Sequence, residues 1–280
     1  MITVLGDAIA PRGGTISLRS LIRLASPFGL PERLVRTSVA RLALEQWVVS
    51  ERIGRSSYYR LTESGAARFA EATARIYAAA PRSWDGEWTL VLIPPSLKKN
   101  RSSLREELGW LGFGQLSPGL LAHPTHKEGV IRDRVAELEM MGKLIVLQKA
   151  VVTQASDCQL ISMGWDLADL GRRYSRFVGV YAPIGAVVAA AADSIQPESG
   201  FVIRSLMLHE YRKIHLRDPL LPIGLLPRGW NGARAYELCR KIYAGVFSAS
   251  ERHLSQTAET MSGALPPASA QLFKRFGGLT

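Results

Sequence analysis

One stretch, residues 30–61, constrains the fold of this chain more than any other. Pro31 and Glu32 suit the first turn of a helix, because proline needs no amide donor there and an acidic side chain complements the positive end of the helix dipole. From residue 33 to residue 46 the helical period separates two faces. Leu44 falls on the polar face, where we expect the next element to cover it. The apolar face holds Leu34, Val35, Val39 and Leu42, and the polar face holds Arg33, Arg36, Thr37 and Arg41.

Two short β-forming runs follow this helix. Residues 47–49 and 57–61 flank a polar segment that has Gly54 near its centre. Apolar β-formers on either side of a glycine-containing turn are typical of a β-hairpin. Thr62 is the predicted N-cap of a further helix at residues 63–80, because its hydroxyl can accept a hydrogen bond from an amide of the first turn.

A shorter helix precedes this stretch. Residues 1–5 have the pattern of the end of a helix, and residues 10–14 have that of a turn. Thr15 or Ser17 can then cap a predicted helix at residues 18–25. A helix, a turn, a second helix and a hairpin in this order predict a winged helix-turn-helix domain.

The chemistry of this segment suits DNA. A helix fits the major groove, and an arginine can donate two parallel hydrogen bonds to a guanine edge, while basic residues at a hairpin tip can meet phosphates or the minor groove. The alternative is an ordinary solvated arginine face. The order of the three elements favours DNA binding. The predicted DNA-binding residues are Arg33, Arg36, Thr37, Ser38, Arg41, Arg52, Arg55 and Ser56.

The composition agrees with a polyanionic partner. The formal net charge is +11 and the pI is about 10.0, which favours nucleic acid or a phosphorylated ligand. Cys158 and Cys239 lie far apart and in no motif, so we expect no disulfide. The longest apolar run, residues 181–192, is too short to span a bilayer, and residues 1–7 lack the features of a signal peptide. We therefore expect a cytoplasmic protein with no membrane partner.

The rest of the chain predicts two further domains. Residues 84–149 follow a βαββαβ order, with strand 88–93, helix 103–111, extended segment 115–123, helix 130–141 and strand 144–152. Helical periodicity then dominates, with predicted helices at 165–180, 184–195, 198–212 and 232–253 and a proline-rich apolar loop at 216–230. The predicted fold class is α+β and multidomain, with an N-terminal winged helix-turn-helix domain (1–82), a central ferredoxin-like domain (83–155) and a mainly helical C-terminal domain (156–280).

Two short motifs are specific, namely Arg217-Asp-Pro-Leu-Leu-Pro222 and Arg275-Phe-Gly-Gly-Leu279. Together with shorter stretches spread over nearly the whole chain, they resemble the motifs of the PaaX family, repressors of phenylacetic acid degradation operons. The chain differs from the family at its start, where the family has additional residues that complete the first helix. The resemblance implies a cytoplasmic dimeric repressor that phenylacetyl-CoA releases from DNA. The other matching stretches are residues 6–8, 12–14, 32–37, 52–55, 59–62, 84–88, 112–114, 209–212 and 226–227.

The residues themselves allow a weaker statement about an effector. Phenyl and pantetheine groups need apolar surface, and CoA phosphates need arginine or lysine. The alternative is that Tyr211 and Trp230 belong to the core and that Arg212 pairs with Asp218. The predicted effector-binding residues are Tyr211, Arg212, Lys213, His215 and Trp230, with Lys98, Lys99 and Arg101 as a phosphate-binding loop.

Other chemistries have less support in the sequence. The pairs His123/His126 and His209/His215 lack a convincing third metal ligand, and no P-loop, dinucleotide fingerprint or nucleophile elbow occurs. We therefore expect no metal, no cofactor and no catalytic residue. The central segment resembles the fold of CRISPR spacer-acquisition nucleases, so a metal-dependent nuclease is one alternative function, although the strand at 88–93 offers no carboxylate for a cation. A CoA-thioester-binding protein without a DNA role is the other.

Overall fold

The computed structural model describes residues 1–81, 83–97, 100–125, 128–137, 143–154, 156–191 and 194–279. Helices and small antiparallel sheets alternate along the described chain, an α+β fold as predicted. The chain divides into two compact units, each made of segments that are distant in sequence. The first unit comprises Met1–Ala78, Arg176–His215 and Arg234–Thr280, and the second comprises Ala79–Ser175 and Leu216–Ala233. The division into three domains at residues 82 and 155 stays a prediction.

Short elements open the first unit, and both predicted helix caps are confirmed. The side chain of Ser17 accepts a hydrogen bond from the amide of Ser20, and that of Thr62 accepts one from the amide of Gly65. The elements are α1 (Ile2–Val4), a π-helical turn (Leu5–Ile9), a 3₁₀ turn (Ala10–Arg12), β1 (Thr15–Ser17), α2 (Leu18–Ala25), a 3₁₀ turn (Ser26–Phe28), α3 (Glu32–Leu44), β2 (Val48–Ile53), β3 (Ser56–Leu61) and α4 (Glu63–Ile76).

The predicted hairpin is part of a three-stranded antiparallel sheet of order β1-β3-β2. The pairing of β2 with β3 ends at Ile53 and Ser56, so Gly54 and Arg55 alone form the turn. Gly54 has a φ of 59°, a left-handed conformation that glycine adopts without steric cost. The third strand, β1, was not predicted, because three residues are too few to show a period of two.

A four-stranded antiparallel sheet of order β5-β6-β4-β7 forms the centre of the second unit, and its βαββαβ connectivity is ferredoxin-like. The segment predicted as one extended stretch is a hairpin, because Pro118 and Gly119 divide it into two strands. The elements are β4 (Trp88–Leu92), α5 (Arg101–Trp110), β5 (Gly114–Ser117), β6 (Leu120–His123), α6 (Glu128–Glu137), β7 (Ile145–Ala150) and α7 (Asp157–Gly164).

The proline-rich loop at residues 216–230 belongs to this second unit. Leu221 and Leu225 are buried in one cluster with Trp88 and Ile161. Burial of these apolar side chains removes them from water, as expected for so many leucines in a proline-rich loop.

The C-terminal third supplies the long helices α8 (Leu167–Ala191), α9 (Pro197–His215) and α10 (Gly232–Thr257), followed by β8 (Glu259–Thr260), β9 (Gly263–Ala264) and α11 (Ala270–Phe273). The prediction of two helices around Pro183 was wrong, because α8 continues through this proline. A proline removes one amide donor from a helix, and this loss can be offset when the turns on either side pack well. Phe177, Tyr181 and Val188 are buried along α8, so the turns around Pro183 are packed in this way. Within the described ranges, α8 is also the one helix whose length and composition would allow it to cross a membrane.

The N-terminal segment and the C-terminal helices share one core within the first unit. Phe201 of α9 and Leu254 of α10 lie in the same buried cluster as Ile9, Leu21 and Val39. Residues almost the whole chain length apart therefore exclude water together, which sequence periodicity does not reveal.

A buried ionic cluster lies beside this core. The carboxylate of Asp7 accepts hydrogen bonds from the guanidinium groups of Arg204 and Arg275 and from the hydroxyls of Tyr77 and Tyr243. Burial by itself would raise the pKa of Asp7, but the charges of Arg204 and Arg275 outweigh it and lower this pKa to about 2. Burial also raises the pKa of both tyrosine hydroxyls, so they remain protonated donors at neutral pH.

Candidate nucleic-acid interface

The basic face of α3 is exposed. Val35, Val39 and Leu42 are buried, which fixes the rotation of the helix on the core. The prediction that the hairpin covers Leu44 was wrong, since this side chain is 86% exposed. The chain reverses at the next residues, and it is Trp47 that packs inward. The predicted DNA-binding residues of this helix are exposed, namely Arg33, Arg36, Thr37 and Arg41, apart from Ser38, which is half-buried.

Two of these arginines have acidic neighbours one helical turn away. A nitrogen of the Arg36 guanidinium lies 2.7 Å from Glu32 Oε1, and Arg41 Nε lies 3.3 Å from Glu45 Oε1. Both pairs are exposed, and exposed pairs at this spacing contribute only about 0.3–0.5 kcal/mol. Each arginine can therefore exchange its carboxylate for a base edge or a phosphate at low cost.

The hairpin presents further basic residues at its tip. Arg52, Arg55 and Ser56 are all exposed. Arg52 Nε donates to the carbonyl of Gly54 across the turn, 3.4 Å away. The tip is therefore both polar and positively charged, as the sequence predicts.

A polar groove of about 490 Å³ connects these elements. It is lined by Arg36 of α3, by Arg55 and Ser56 of the hairpin and by Arg19 and Arg23 of α2. We call this surface the basic groove. Glu32 and Glu259 also line it, so a polyanion that enters must compete with two carboxylates for the guanidinium groups.

Arg19 and Arg23 are members of this surface that the sequence analysis missed. Both are exposed and lie four residues apart on α2, opposite the buried Leu21 and Leu24. The helical period of residues 18–25 places the two arginines on one face, so the signal was present. The period alone does not identify a binding surface; the structure adds that the hairpin lines the same groove.

The predicted effector residues of the first unit mostly have structural partners. Tyr211 and His215 are buried, their rings stack with centroids 4.7 Å apart, and His215 Nε2 donates to the carbonyl of Ala78. Arg212 Nε donates to Thr3 Oγ1, and Lys213 pairs with Glu210 on the surface. These contacts agree with the alternative that Tyr211 is a core residue. They leave Tyr211 and His215 buried, without a surface for a ligand.

The remaining effector candidates belong to the second unit. The ring of Trp230 packs edge-on against Tyr174. Arg101 donates to the carbonyl of Pro118. Lys98 and Lys99 lie outside the described residues. Among the described residues, the contacts of Tyr211, Arg212, Lys213 and His215 lie in the first unit, and those of Trp230 and Arg101 lie in the second.

The histidine pairs have no described metal site. His123 is buried, and its Nδ1 contacts the hydroxyl of Thr125; His126 lies outside the described residues. His209 contacts Thr3. Across the described part of the chain, no three histidine, cysteine or acidic side chains form a group that could hold a metal ion.

Three family models match the chain. They are described as PaaX-like protein over residues 1–65, PaaX protein central Cas2-like domain over residues 81–161, and PaaX-like protein C-terminal domain over residues 165–256. The transcriptional repressor PaaX of Escherichia coli K12 is 36% identical over 98% of this chain and 88% of its own length. Among solved structures, the uncharacterized protein Rv0674 of Mycobacterium tuberculosis superposes with a TM-score of 0.53 and 22% identity, over 84% of this chain and 89% of its own, which supports the fold alone.

Proposed function

This chain belongs to the PaaX family, and from that premise we propose that it is a DNA-binding transcriptional repressor whose N-terminal segment is a winged helix-turn-helix reading head. Its relative is a transcriptional repressor, a regulator and not an enzyme. The single observation that carries the proposal is the exposed arginine face of α3, which continues into the basic groove.

Each element has a distinct part in this proposal. α3 enters the major groove, where Arg36 and Arg41 donate to base edges, and Arg33, Thr37 and Ser38 contact phosphates or a base. The hairpin lies alongside, with Arg52, Arg55 and Ser56 against the backbone or in the minor groove. Buried Val35 and Val39 hold the helix in place on the core.

We further propose a cytoplasmic homodimer that reads a partly palindromic operator and is released by an acyl-CoA, phenylacetyl-CoA being the expected effector. The support for the effector and the dimer is the family resemblance and the positive net charge of +11, which suits both DNA and CoA phosphates. Release requires the effector to prefer a conformation in which the two α3 helices are wrongly spaced for DNA.

The experiment replaces both Arg36 and Arg41 with alanine. Fluorescence anisotropy then measures how tightly the variant binds the DNA that lies upstream of the protein's own operon. If each arginine reads guanine, each replacement costs about 1–3 kcal/mol and relaxes the base preference. A matched control replaces Arg172 and Arg173 of α8, two exposed arginines that likewise pair with an acidic residue on their own helix, Asp169. Wild-type affinity in the Arg36/Arg41 variant would contradict the proposed reading head.

The two alternative functions have direct tests. Incubation of plasmid DNA with the protein and Mg²⁺ or Mn²⁺ should leave the plasmid uncut. A gel shift with the upstream DNA separates a repressor from a CoA-thioester-binding protein without a DNA role, because only the repressor retards the fragment.

A further inference from the structure

A large apolar side chain lies on the basic face of α3. Leu44, the last residue of this helix, is 86% exposed, and no other large apolar side chain of the residues that the structure describes is as exposed. Single exposed leucines are common on protein surfaces, so exposure alone indicates no function. The evidence for a function is the position of Leu44 on the helix and the side chains around it.

Helical geometry places Leu44 opposite the buried face of α3. Each residue turns an α-helix by about 100°, so Leu44 lies about 20° round the axis from Arg33, and Leu42 lies about 180° from it. Leu42 is buried in the core. Ala40 is exposed and lies about 20° from Arg33 on the other side. Ala40 and Leu44, one helical turn apart, therefore form an apolar ridge at the centre of the exposed face.

Arginines flank the apolar ridge on both sides. Arg36 lies about 60° from Arg33 in one direction, and Arg41 lies about 80° from it in the other. Both are exposed. Helical side chains point back toward the N-terminal end of the helix, so that of Leu44 covers the surface beside Ala40 and Arg41. A partner that covers the ridge must therefore accept positive charge on both flanks and offer an apolar group between them.

The major groove of DNA has this pattern. Phosphates border the groove on both strands, and the edges of the bases form its floor. The 5-methyl group of thymine is an apolar group on that floor, and apolar side chains pack against it. A protein surface that buried the ridge would also have to remove the flanking guanidinium groups from water, at a cost that only matching carboxylates could offset.

We propose that Leu44 is a specificity-determining residue that recognises the 5-methyl group of a thymine within two base pairs of the one that Arg41 contacts. Side chains one turn apart on a helix are about 5–6 Å apart, and base pairs stack about 3.4 Å apart, so Leu44 can reach this distance. Ala40 is small and lets α3 approach the base edges closely. The inference rests on the proposed function, because it requires α3 to lie in the major groove.

The test removes the methyl group from the DNA. Each thymine in the segment of upstream DNA that the protein protects from nuclease digestion is replaced in turn by deoxyuridine, which keeps every hydrogen-bonding group of the base. Fluorescence anisotropy measures binding of the full chain. Burial of one methyl group corresponds to about a fourfold change in affinity, so deoxyuridine should weaken binding by about that factor at one or more positions. Unchanged affinity at every position would overturn the proposal.

A variant of the protein identifies the residue that contacts the methyl group. Leu44→Ala removes the apolar contact and adds no polar group. It should bind the thymine DNA about fourfold more weakly than the wild type and should no longer distinguish thymine from deoxyuridine at the sensitive position. Leu44→Met keeps an apolar side chain of similar volume and should keep the preference for thymine. A full preference for thymine at every sensitive position in Leu44→Ala would overturn the proposal.

The matched control is Val187→Ala. Val187 is a 66% exposed apolar residue of α8, outside the proposed reading head. This variant should have the affinity and the thymine preference of the wild type. A loss of thymine preference in Val187→Ala equal to that in Leu44→Ala would show that the effect is not specific to α3 and would overturn the proposal.

Failure of this inference is distinguishable from failure of the proposed function. If the Arg36/Arg41 variant loses specific binding while no deoxyuridine effect depends on Leu44, α3 remains the reading head and only the thymine contact is wrong. If the wild type binds no DNA, both are wrong. Sedimentation of Leu44→Ala gives a further check, because a changed oligomeric state together with an unchanged thymine preference would make the ridge an interface with a second copy and would overturn the proposal.

Discussion

Arg204 Nε donates a 2.7 Å hydrogen bond to Asp7 Oδ2, and both side chains are almost fully buried although 197 residues separate them. Arg275, near the C-terminal end of the described chain, donates to the other carboxylate oxygen. The motifs that carry the family resemblance at the two ends of the sequence therefore meet in one cluster. This contact fixes the segment that precedes the proposed reading head to the C-terminal helices within the first unit.

Asp7→Asn should destabilise the protein strongly. The amide keeps the shape but removes the negative charge, so the guanidinium groups of Arg204 and Arg275 lose their shared buried counterion, at a cost of about 3–5 kcal/mol. The measurement is urea unfolding. The control is Glu237→Gln, which removes an exposed partner of Arg240 and should cost about 0–1 kcal/mol. Similar losses in both variants would show that the cluster is no more important than a surface pair.

The contribution of Asp7 should also depend on pH in a defined direction. Its pKa falls from 3.8 to about 2 on folding, so the unfolded state binds more protons between these values. Stability from this group is therefore fully present above about pH 5 and is lost as the pH falls through about 2. The difference in unfolding free energy between wild type and Asp7→Asn, measured by urea titration at several pH values, should be flat from about pH 7 to 5 and shrink below about pH 4. A difference that grows on acidification would contradict the assignment.

Thr62→Ala should destabilise the junction between the hairpin and α4 by about 1 kcal/mol, because the amide of Gly65 loses its capping oxygen and the carbonyl of Gln46 loses a donor. Thr62→Ser keeps the hydroxyl and should recover most of the loss. Thermal unfolding of the three proteins checks this prediction, and an alanine variant as stable as the serine variant would refute it.

Replacement of Arg55, or of Arg19 and Arg23, in the basic groove should weaken DNA binding without changing its sequence preference. Arg55→Ala removes one phosphate contact and should lower the salt dependence of binding by about one unit of slope. The Arg19→Ala/Arg23→Ala double variant should lower it by about two. Titrations with specific and unrelated DNA over a range of salt measure both effects, with Arg228→Ala, an exposed arginine of the second unit, as the control. A changed base preference would place these arginines at base edges instead.

Leu44→Gln should leave the stability within about 0.5 kcal/mol of the wild type, because an 86% exposed leucine buries little surface. Val39→Ala on the opposite face of the same helix is the contrast, with an expected loss of about 1–3 kcal/mol from a fully buried site. Urea unfolding of both variants tests which residues orient α3.

The features that the sequence predicts correctly depend on local contacts. Ser17 and Thr62 cap helices through amides three residues away, and the turn at Gly54 requires only its own backbone conformation. The ferredoxin-like fold of the central segment was predicted from the alternation of strands and helices along the chain, and the four-stranded sheet agrees with it. Long-range partners were missed for the same reason. The pairing of Asp7 with Arg204 has no periodic signal, and the helical period places Arg19 and Arg23 on one face without showing that the hairpin lines the same groove.

The sequence by itself determined α2, α3 and α4, the caps of α2 and α4, the hairpin and the arginine face of α3. Each depends on residues within one or two turns of chain and on a solvent that separates apolar from charged side chains. Only the tertiary structure decided that the first and last segments form one compact unit, that Tyr211 and His215 are buried core residues, and that Arg19 and Arg23 line the same groove as the hairpin. Those features arise where elements far apart in sequence exclude water together, and burial then sets the partners, protonation and accessibility of each group.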